Sequence, residues 1–156
     1  MYKGEEYIGF WVNTLINVPI CAVVSIAMPL AIGHHLGIGG MLNWASWLQG
    51  FVLSYFIGFF AGTFIPHMQA ADAVSNALHI KAQGGRFVMR CLIGAIIMTV
   101  FIAFFMVFAN SFVDEGIVAV LDTFVAAYPW GTLASFATQL LTTKLCQTLA
   151  TKIALR

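Results

Sequence analysis

Long apolar stretches separated by short polar segments dominate the chain. Each of four stretches exceeds the roughly 20 helical residues that cross a hydrocarbon core of about 30 Å, and they lie at 8–32, 44–65, 87–109 and 117–141. None alternates between apolar and polar residues with the period of two that is typical of a membrane β-barrel strand. The pattern therefore predicts an all-α membrane protein with four transmembrane helices.

A stripe of small residues recurs at every fourth position of span two. When the first half of the sequence is aligned with the second at an offset of 77 residues, so that Ser46 matches Thr123, this stripe aligns with span four and span one aligns with span three. We therefore expect one integral membrane domain, 1–156, built from two tandem hairpin repeats at 8–80 and 87–156. Because a hairpin returns the chain to its starting side, the two repeats should have parallel orientations.

Small side chains allow membrane helices to approach closely, which drives their association where lipid tails are as apolar as leucine. We expect helices two and four to form the packing core, crossing at roughly −40° either with each other or with a second subunit. Gly58 and Gly62 form a GxxxG element. The predicted packing residues are Ser46, Gly50, Ser54, Gly58, Gly62, Ala127, Gly131 and Ser135.

An amphipathic stretch follows each hairpin. Apolar residues from Met68 to Leu78 have helical spacing after Pro66, which suits a helix start. Leu145, Leu149 and Ile153 repeat the pattern after span four. Their basic neighbours can reach lipid headgroups, so we expect a short cytoplasmic helix at the membrane surface after helix two and another after helix four.

The distribution of charge predicts the orientation. Only 8% of the residues are charged, against roughly 25% in soluble domains, so the lipid bilayer is the expected surrounding. By the positive-inside rule, both termini and the central connection face the cytoplasm, while 33–43 and 110–116 face outward. The seven basic residues are Lys3, Lys81, Arg86, Arg90, Lys144, Lys152 and Arg156.

Span one carries a polar stripe that includes Asn13 and Asn17. Asn17 lies roughly 14 Å along its helix, near the bilayer midplane, where an unpaired amide costs several kcal/mol. It either makes an interhelical hydrogen bond or lines a polar pathway. The candidate substrate or ion pathway residues are Asn13, Asn17, Ser25, Gln49, Thr99, Asp122, Thr138 and Gln139.

Asp122 has two interpretations. It lies roughly 8 Å inside span four, and carboxylates within a membrane are often functional, which favours coupling to protons or cations. It also lies in the first two turns of its helix, where the helix dipole favours an anion, so an interfacial position is the alternative. Pro129 should kink the same helix.

Few residues point to catalysis or to metal binding. His34 and His35 could bind a divalent cation with Asp114 or Glu115, but no third ligand has a diagnostic spacing. No catalytic or nucleotide-binding motif occurs. We expect no metal, no cofactor, no enzyme activity and no nucleic-acid partner. Packing is the expected role of the three cysteines, Cys21, Cys91 and Cys146.

One resemblance rests on the ends of span two and on span three. Trp44 and Trp47 open span two, Pro66 closes it, and 96–110 reads IIMTVFIAFFMVFAN. Together with the duplicated hairpin, these features resemble a family of small bacterial inner-membrane proteins without an established activity. The resemblance implies the cytoplasmic membrane of a bacterium and brings no functional residues.

A polar but uncharged interior favours a small transporter or channel-like protein, with an apolar or weakly polar small molecule or a cation as its cargo. Four thin helices should leave little room for a cavity within one chain, so we expect a homodimer or higher homo-oligomer. The alternative is a non-catalytic membrane subunit that docks a partner membrane protein through its small-residue stripes.

Overall fold

The computed structural model describes residues 3–37 and 43–156, together with all of their side chains except those of 109–116. The described chain is almost entirely helical and contains no strand. The helices are α1 (Ile8–His35), α2 (Trp44–Phe64), α3 (His67–Ala77) and α4 (Gln83–Ala154). A 3₁₀ turn leads into α1, and the short α3 separates α2 from the long α4.

Within the described residues, four helical segments are long and apolar enough to cross a membrane, as predicted: Glu5–His35, Trp44–Phe64, Gln83–Phe108 and Ile117–Ala154. The last two are parts of α4, which we call α4a and α4b. The Tyr128 hydroxyl of α4b donates to the Ile96 carbonyl of α4a at 3.3 Å. Farther along, the rings of Phe104 and Phe124 lie 6.3 Å apart. These contacts require α4a and α4b to run antiparallel, so the chain reverses direction between them.

The interior of the bundle is formed by α1 and α4a, and each of these two spans contacts both α2 and α4b. Val24 of α1 and Ile102 of α4a are completely buried in a shared core. The outward faces of α2 and α4b instead carry large exposed apolar side chains such as Phe56 and Leu141. Lipid tails would cover these side chains in a bilayer, where their exposure carries no penalty.

The small-residue stripe of α2 lies against α1 and α4a. A Cβ atom built on Gly58 would be 2.7 Å from Asn17 Oδ1, and one built on Gly50 would be 3.5 Å from Ser25 Cβ. Gly62 makes the corresponding approach to Asn13. Within the chain, the stripe of span two thus packs on span one (α1) and span three (α4a), and not on span four (α4b). The amides of α1 occupy the space that the glycines leave.

Ser46 does not share the packing role predicted for the stripe. It is exposed in the first turn of α2. Its backbone N–H donates to Asn43 Oδ1 at 2.8 Å, and its hydroxyl accepts from the Asn43 N–H at 3.2 Å. This reciprocal arrangement is a capping box, which satisfies backbone donors at the start of a helix.

The stripe of α4b is also buried, at Ala127, Gly131 and Ser135. A Cβ on Gly131 would lie 3.0 Å from Thr99 Cγ2 of α4a and 3.3 Å from Met28 Cγ of α1. No glycine or proline follows Gly131, and the helix continues without a break to its end. The separate amphipathic helix predicted after span four is therefore wrong, because that stretch is the last part of α4b.

The amphipathic helix predicted after span two is present as α3, with Pro66 at its N-cap. Its buried positions are Ala71 and Ser75, while Met68 and Leu78 are exposed. Both are large apolar side chains whose exposure suits a membrane surface.

The two ends of the described chain meet at one end of the bundle. The Gly4 N–H donates to the Ala154 carbonyl at 2.8 Å, and Lys3 Nζ donates to the Arg156 carbonyl at 3.1 Å. The helix α3 and the seven basic residues lie toward this end as well. We call it the basic end, and we call the end that carries His35 and Asp122 the opposite end.

Gly58→Ala should destabilise the bundle, because the new Cβ would meet the buried Asn17 amide. We expect a loss of about 1–3 kcal/mol in unfolding free energy, as for other overpacked sites, measured as a lower midpoint of thermal unfolding in mild detergent. Gly84→Ala is the matched control, since nothing lies within 4 Å of its built Cβ. Equal stability of the two variants would contradict the tight α1–α2 contact.

Candidate functional site

A cavity of about 570 Å³ lies between all four spans at the basic end. The start of α1, the end of α2, the start of α3 and both parts of α4 form its wall. Arg90 and Gln147 line the cavity and are exposed, so it reaches the surface at this end. The volume lies within the roughly 300–1,000 Å³ of small-molecule sites.

Asn13 connects the cavity wall to the α1–α2 contact. Its Nδ2 donates to the Phe59 carbonyl and to Thr63 Oγ1, each at 3.0 Å. Its Oδ1 accepts from Asn17 Nδ2 at 2.8 Å. The interhelical hydrogen bond that the sequence suggested for Asn17 is instead made by Asn13, which also lines the cavity.

Asn17 is almost completely buried and lies behind Asn13. Its Nδ2 remains within α1, donating to the Asn13 carbonyl at 2.8 Å as well as to the Asn13 side chain. Its Oδ1 has no conventional donor and lies against Gly58. The amide oxygen lies 2.7 Å from where a Cβ atom would stand, so a glycine is needed at this position.

Gln139 forms part of the cavity wall contributed by α4b. Gly94 of α4a makes space for it, since a Cβ there would lie 3.1 Å from the nearer atom of the Gln139 amide group. With its amide oriented so that both atoms find partners, Nε2 donates to the Cys91 carbonyl, and Oε1 accepts from the Ala95 N–H and the Ser135 hydroxyl, each at 3.2 Å. Gln139 therefore lines the cavity and also connects α4b to α4a.

The charged part of the wall is Arg90, which forms a two-pronged ion pair with Asp72 of α3. Arg90 Nε lies 2.9 Å from Asp72 Oδ1, and Nη2 lies 3.0 Å from Oδ2. These hydrogen bonds hold the pKa of the Asp72 carboxyl below its ordinary value. Arg86 adds a second connection, donating to the Asn76 side chain at 2.7 Å and to the Ile80 carbonyl at 2.9 Å.

The structure divides the predicted pathway residues between three locations. Two of them, Asn13 and Gln139, line the cavity. Four more are buried in the bundle but do not line it, namely Asn17, Ser25, Thr99 and Thr138. Gln49 and Asp122 lie on exposed faces rather than in the interior. These eight residues therefore do not form one continuous polar pathway.

Asp122 lies at the opposite end, far from the cavity wall. Its Oδ2 is 2.9 Å from His35 Nε2, and 69% of its side chain is exposed. The possible metal ligands Asp114 and Glu115 have side chains outside the described ones, and no group of three or more His, Cys, Asp or Glu among the described residues could hold a metal ion.

The sequence prediction missed His67, Arg90, Thr143 and Gln147 as cavity residues. Arg90 was used only to predict orientation, and His67 only as part of a connection. A signal was present for the other two, because Gln139, Thr143 and Gln147 follow one another at four-residue spacing and extend the stripe of α4b. The three cysteines are buried and free of disulfide bonds.

This fold defines the class of the chain as a multi-pass helical membrane protein. Comparison with protein-family models, with curated proteins and with solved structures finds no match to it. The resemblance to small bacterial inner-membrane proteins therefore stays a prediction, and any functional assignment has to come from the cavity and the packing around it.

Acid should loosen the contact between α3 and α4a. Because the pKa of Asp72 is lowered in the folded protein, the stabilisation from its ion pair is complete above the ordinary pKa of 3.8 and is lost as the pH falls through the lower folded-state value. Hydrogen exchange, corrected for intrinsic rates, should show α3 losing protection below about pH 4. Asp72→Asn should already show reduced protection at pH 7, with no further acid-dependent loss. Unchanged protection of native α3 at pH 2 would contradict this role of the pair.

Proposed function

We propose that the protein is a small transporter of the bacterial cytoplasmic membrane and that it takes its cargo into the cavity at the basic end. The observation that carries this proposal is the one-sidedness of the bundle. A cavity of about 570 Å³ separates the four spans at one end, whereas farther along the described side chains of α1, α4a and α4b pack in one apolar cluster.

The packed half favours a transporter over an open channel. Val24, Ile102 and Val120 are completely buried there and belong to one continuous cluster. Beyond the cluster, the 2.9 Å contact between His35 and Asp122 joins α1 to α4b. A bundle with a cavity at one end and a packed cluster of described side chains beyond it resembles one state of an alternating-access cycle.

The contacts of the two hairpins support the parallel repeats that such a cycle could use. Gly50 of the first hairpin approaches Ser25 of its own hairpin and Met106 of the other. Gly131 of the second hairpin approaches Thr99 of its own hairpin and Met28 of the first. The outer helices, α2 and α4b, therefore each pack on both central helices, α1 and α4a, as a twofold axis along the membrane normal would require. Transporters with parallel repeats work by rocking of such halves.

The orientation follows from charge. The basic end faces the cytoplasm in this proposal, since all seven lysines and arginines lie toward it. The hydrogen bond between Gly4 and Ala154 supports the placement of both described ends on one side. The cavity of this conformer would then be open to the cytoplasm.

The docking alternative loses the surface on which it was based. Gly50, Ser54 and Gly58 are buried against α1 and α4a, and the stripe of α4b is likewise covered within the chain. A homo-oligomer is no longer needed to create a cavity, because one chain contains one. Transport is therefore the function that the geometry supports best.

Gln147→Trp should block transport, because Gln147 lines the cavity and its exposed side chain can be enlarged without disturbing the core. Liposomes containing the protein would be mixed with isosmotic benzenesulfonate, benzyltrimethylammonium or glycerol, and solute entry followed by stopped-flow light scattering. We expect the native protein to accelerate entry of at least one solute and the substitution to slow it about tenfold or more.

Thr148→Trp provides the matched control, since Thr148 is exposed on the same helix but does not line the cavity. Its flux should equal that of the native protein. Equal flux through both tryptophan variants would show that the cavity is not the route, and no acceleration for any of the three solutes would overturn the transporter proposal.

A further inference from the structure

Arg90 is the charged residue of the cavity wall, and no aspartate or glutamate is among the described residues that line it. Just outside, Lys144 Nζ lies 5.7 Å from the centre of the Phe87 ring, and that ring is part of the wall. An anion in this cavity would be attracted by Arg90, whose charge the Asp72 carboxylate shares from outside the wall, and by Lys144.

Arg90 has unused hydrogen-bonding capacity. Its ion pair with Asp72 involves Nε and Nη2, and an arginine has five N–H donors in a planar fork. The two N–H groups of Nη1 have no acceptor among the described residues. Because carboxylates and phosphates bind arginine through paired, charge-assisted hydrogen bonds, a ligand oxyanion could bind Nη1 or replace the Asp72 carboxylate.

The rest of the wall combines an apolar surface with neutral polar groups. Phe10, Ile16 and Phe87 provide the apolar part, while the amides of Gln139 and Gln147 provide neutral polar groups. Apolar walls with a few placed polar groups are typical of small-molecule sites. A ligand that fits this wall has an apolar body and a single acidic group.

We infer that the cavity binds a small organic anion, with a carboxylate, sulfonate or phosphate group on Arg90 and an apolar or aromatic body against Phe10 and Phe87. The inference deepens the proposed function and rests on it, because it names the class of cargo. It replaces the cation or uncharged molecule expected from the sequence. The Asp72 carboxylate is then an internal competitor that occupies Arg90 when the cavity is empty.

Two probes with the same ring and opposite charge test the inference. Calorimetric titration of the native protein in an uncharged detergent with sodium benzenesulfonate and with benzyltrimethylammonium chloride compares the two charges directly. We expect benzenesulfonate to bind about tenfold more tightly or better, which is typical of hydrogen bonds to a charged group. Tighter binding of the cation, or no binding of either probe, would overturn the inference.

Substitutions at the ion pair should act in opposite directions. Arg90→Gln should weaken benzenesulfonate binding about tenfold, whereas Asp72→Asn should strengthen it by removing the competitor. Arg86→Gln is the matched control, because it removes the same charge from a neighbouring residue that does not line the cavity. It should leave the affinity nearly unchanged.

A pair that merely holds α3 in place predicts instead that Arg90→Gln and Asp72→Asn weaken binding to the same extent, which would overturn the inference. The Asp72→Asn result decides the matter even if Arg90→Gln fails to fold, since a gain in affinity requires a folded protein.

The acidic group could belong to a soluble organic acid or to a lipid headgroup, and nanodiscs distinguish these sources. If acidic lipid is the natural ligand, phosphatidylglycerol nanodiscs should weaken benzenesulfonate binding relative to phosphatidylcholine nanodiscs, and Arg90→Gln should abolish this difference while Arg86→Gln retains it. If the ligand is soluble, the two nanodiscs should give equal affinities.

The two proposals fail differently. Preference for benzyltrimethylammonium would remove the anion but leave transport standing. Equal flux through the Gln147→Trp and Thr148→Trp variants would remove the cavity as a route and leave any measured preference for anions intact.

Discussion

The fit of two asparagine amides of α1 into two glycine positions of α2 determines how the rest of the bundle is arranged. Burying an amide among apolar side chains is costly unless protein groups pair with it. Asn13 reaches the Phe59 carbonyl only because Gly62 presents no side chain, and Asn17 lies against Gly58 for the same reason. This fit fixes the register of the first hairpin and places Asn13 at the boundary between the packed interface and the cavity.

Much of the fold follows from the sequence because a bilayer allows few alternatives. The thickness of the hydrocarbon core and the need to satisfy every backbone group restrict apolar runs of this length to helices, and Pro66 correctly placed the start of α3. The partner of the α2 stripe was predicted less well. Small residues show that a helix approaches another closely, but they do not identify the other helix. The missing clue was the polar stripe of α1, whose four-residue spacing matches that of the glycines in the antiparallel direction.

The candidate site was predicted only at Asn13 and Gln139. A polar residue within an apolar run can either line a cavity or bond within its own helix, and the sequence does not distinguish the two. Serine and threonine hydroxyls commonly bond to carbonyls of their own helix, as Thr138 does with Ala134 at 2.7 Å, and need no pathway. The cavity depends on tertiary features instead. The cavity exists where α3 folds back beside α4a through the Asp72–Arg90 pair. Arg90 lies at the start of a span, so the same charge predicts the orientation of the chain and lines the cavity.

The proposed cycle requires the packed half to open, and its contacts indicate where the resistance lies. The contact between His35 and Asp122 is exposed, so it contributes little to stability and can break readily. The deeper contacts place Met106 against Gly50 and Met28 against Gly131, one in each direction between the hairpins. Methionine is unbranched and adapts to changing surroundings, and the glycines opposite it present no side chain. The contacts that must rearrange when the hairpins rock are therefore those best suited to repack, while the asparagine–glycine contact keeps the first hairpin rigid.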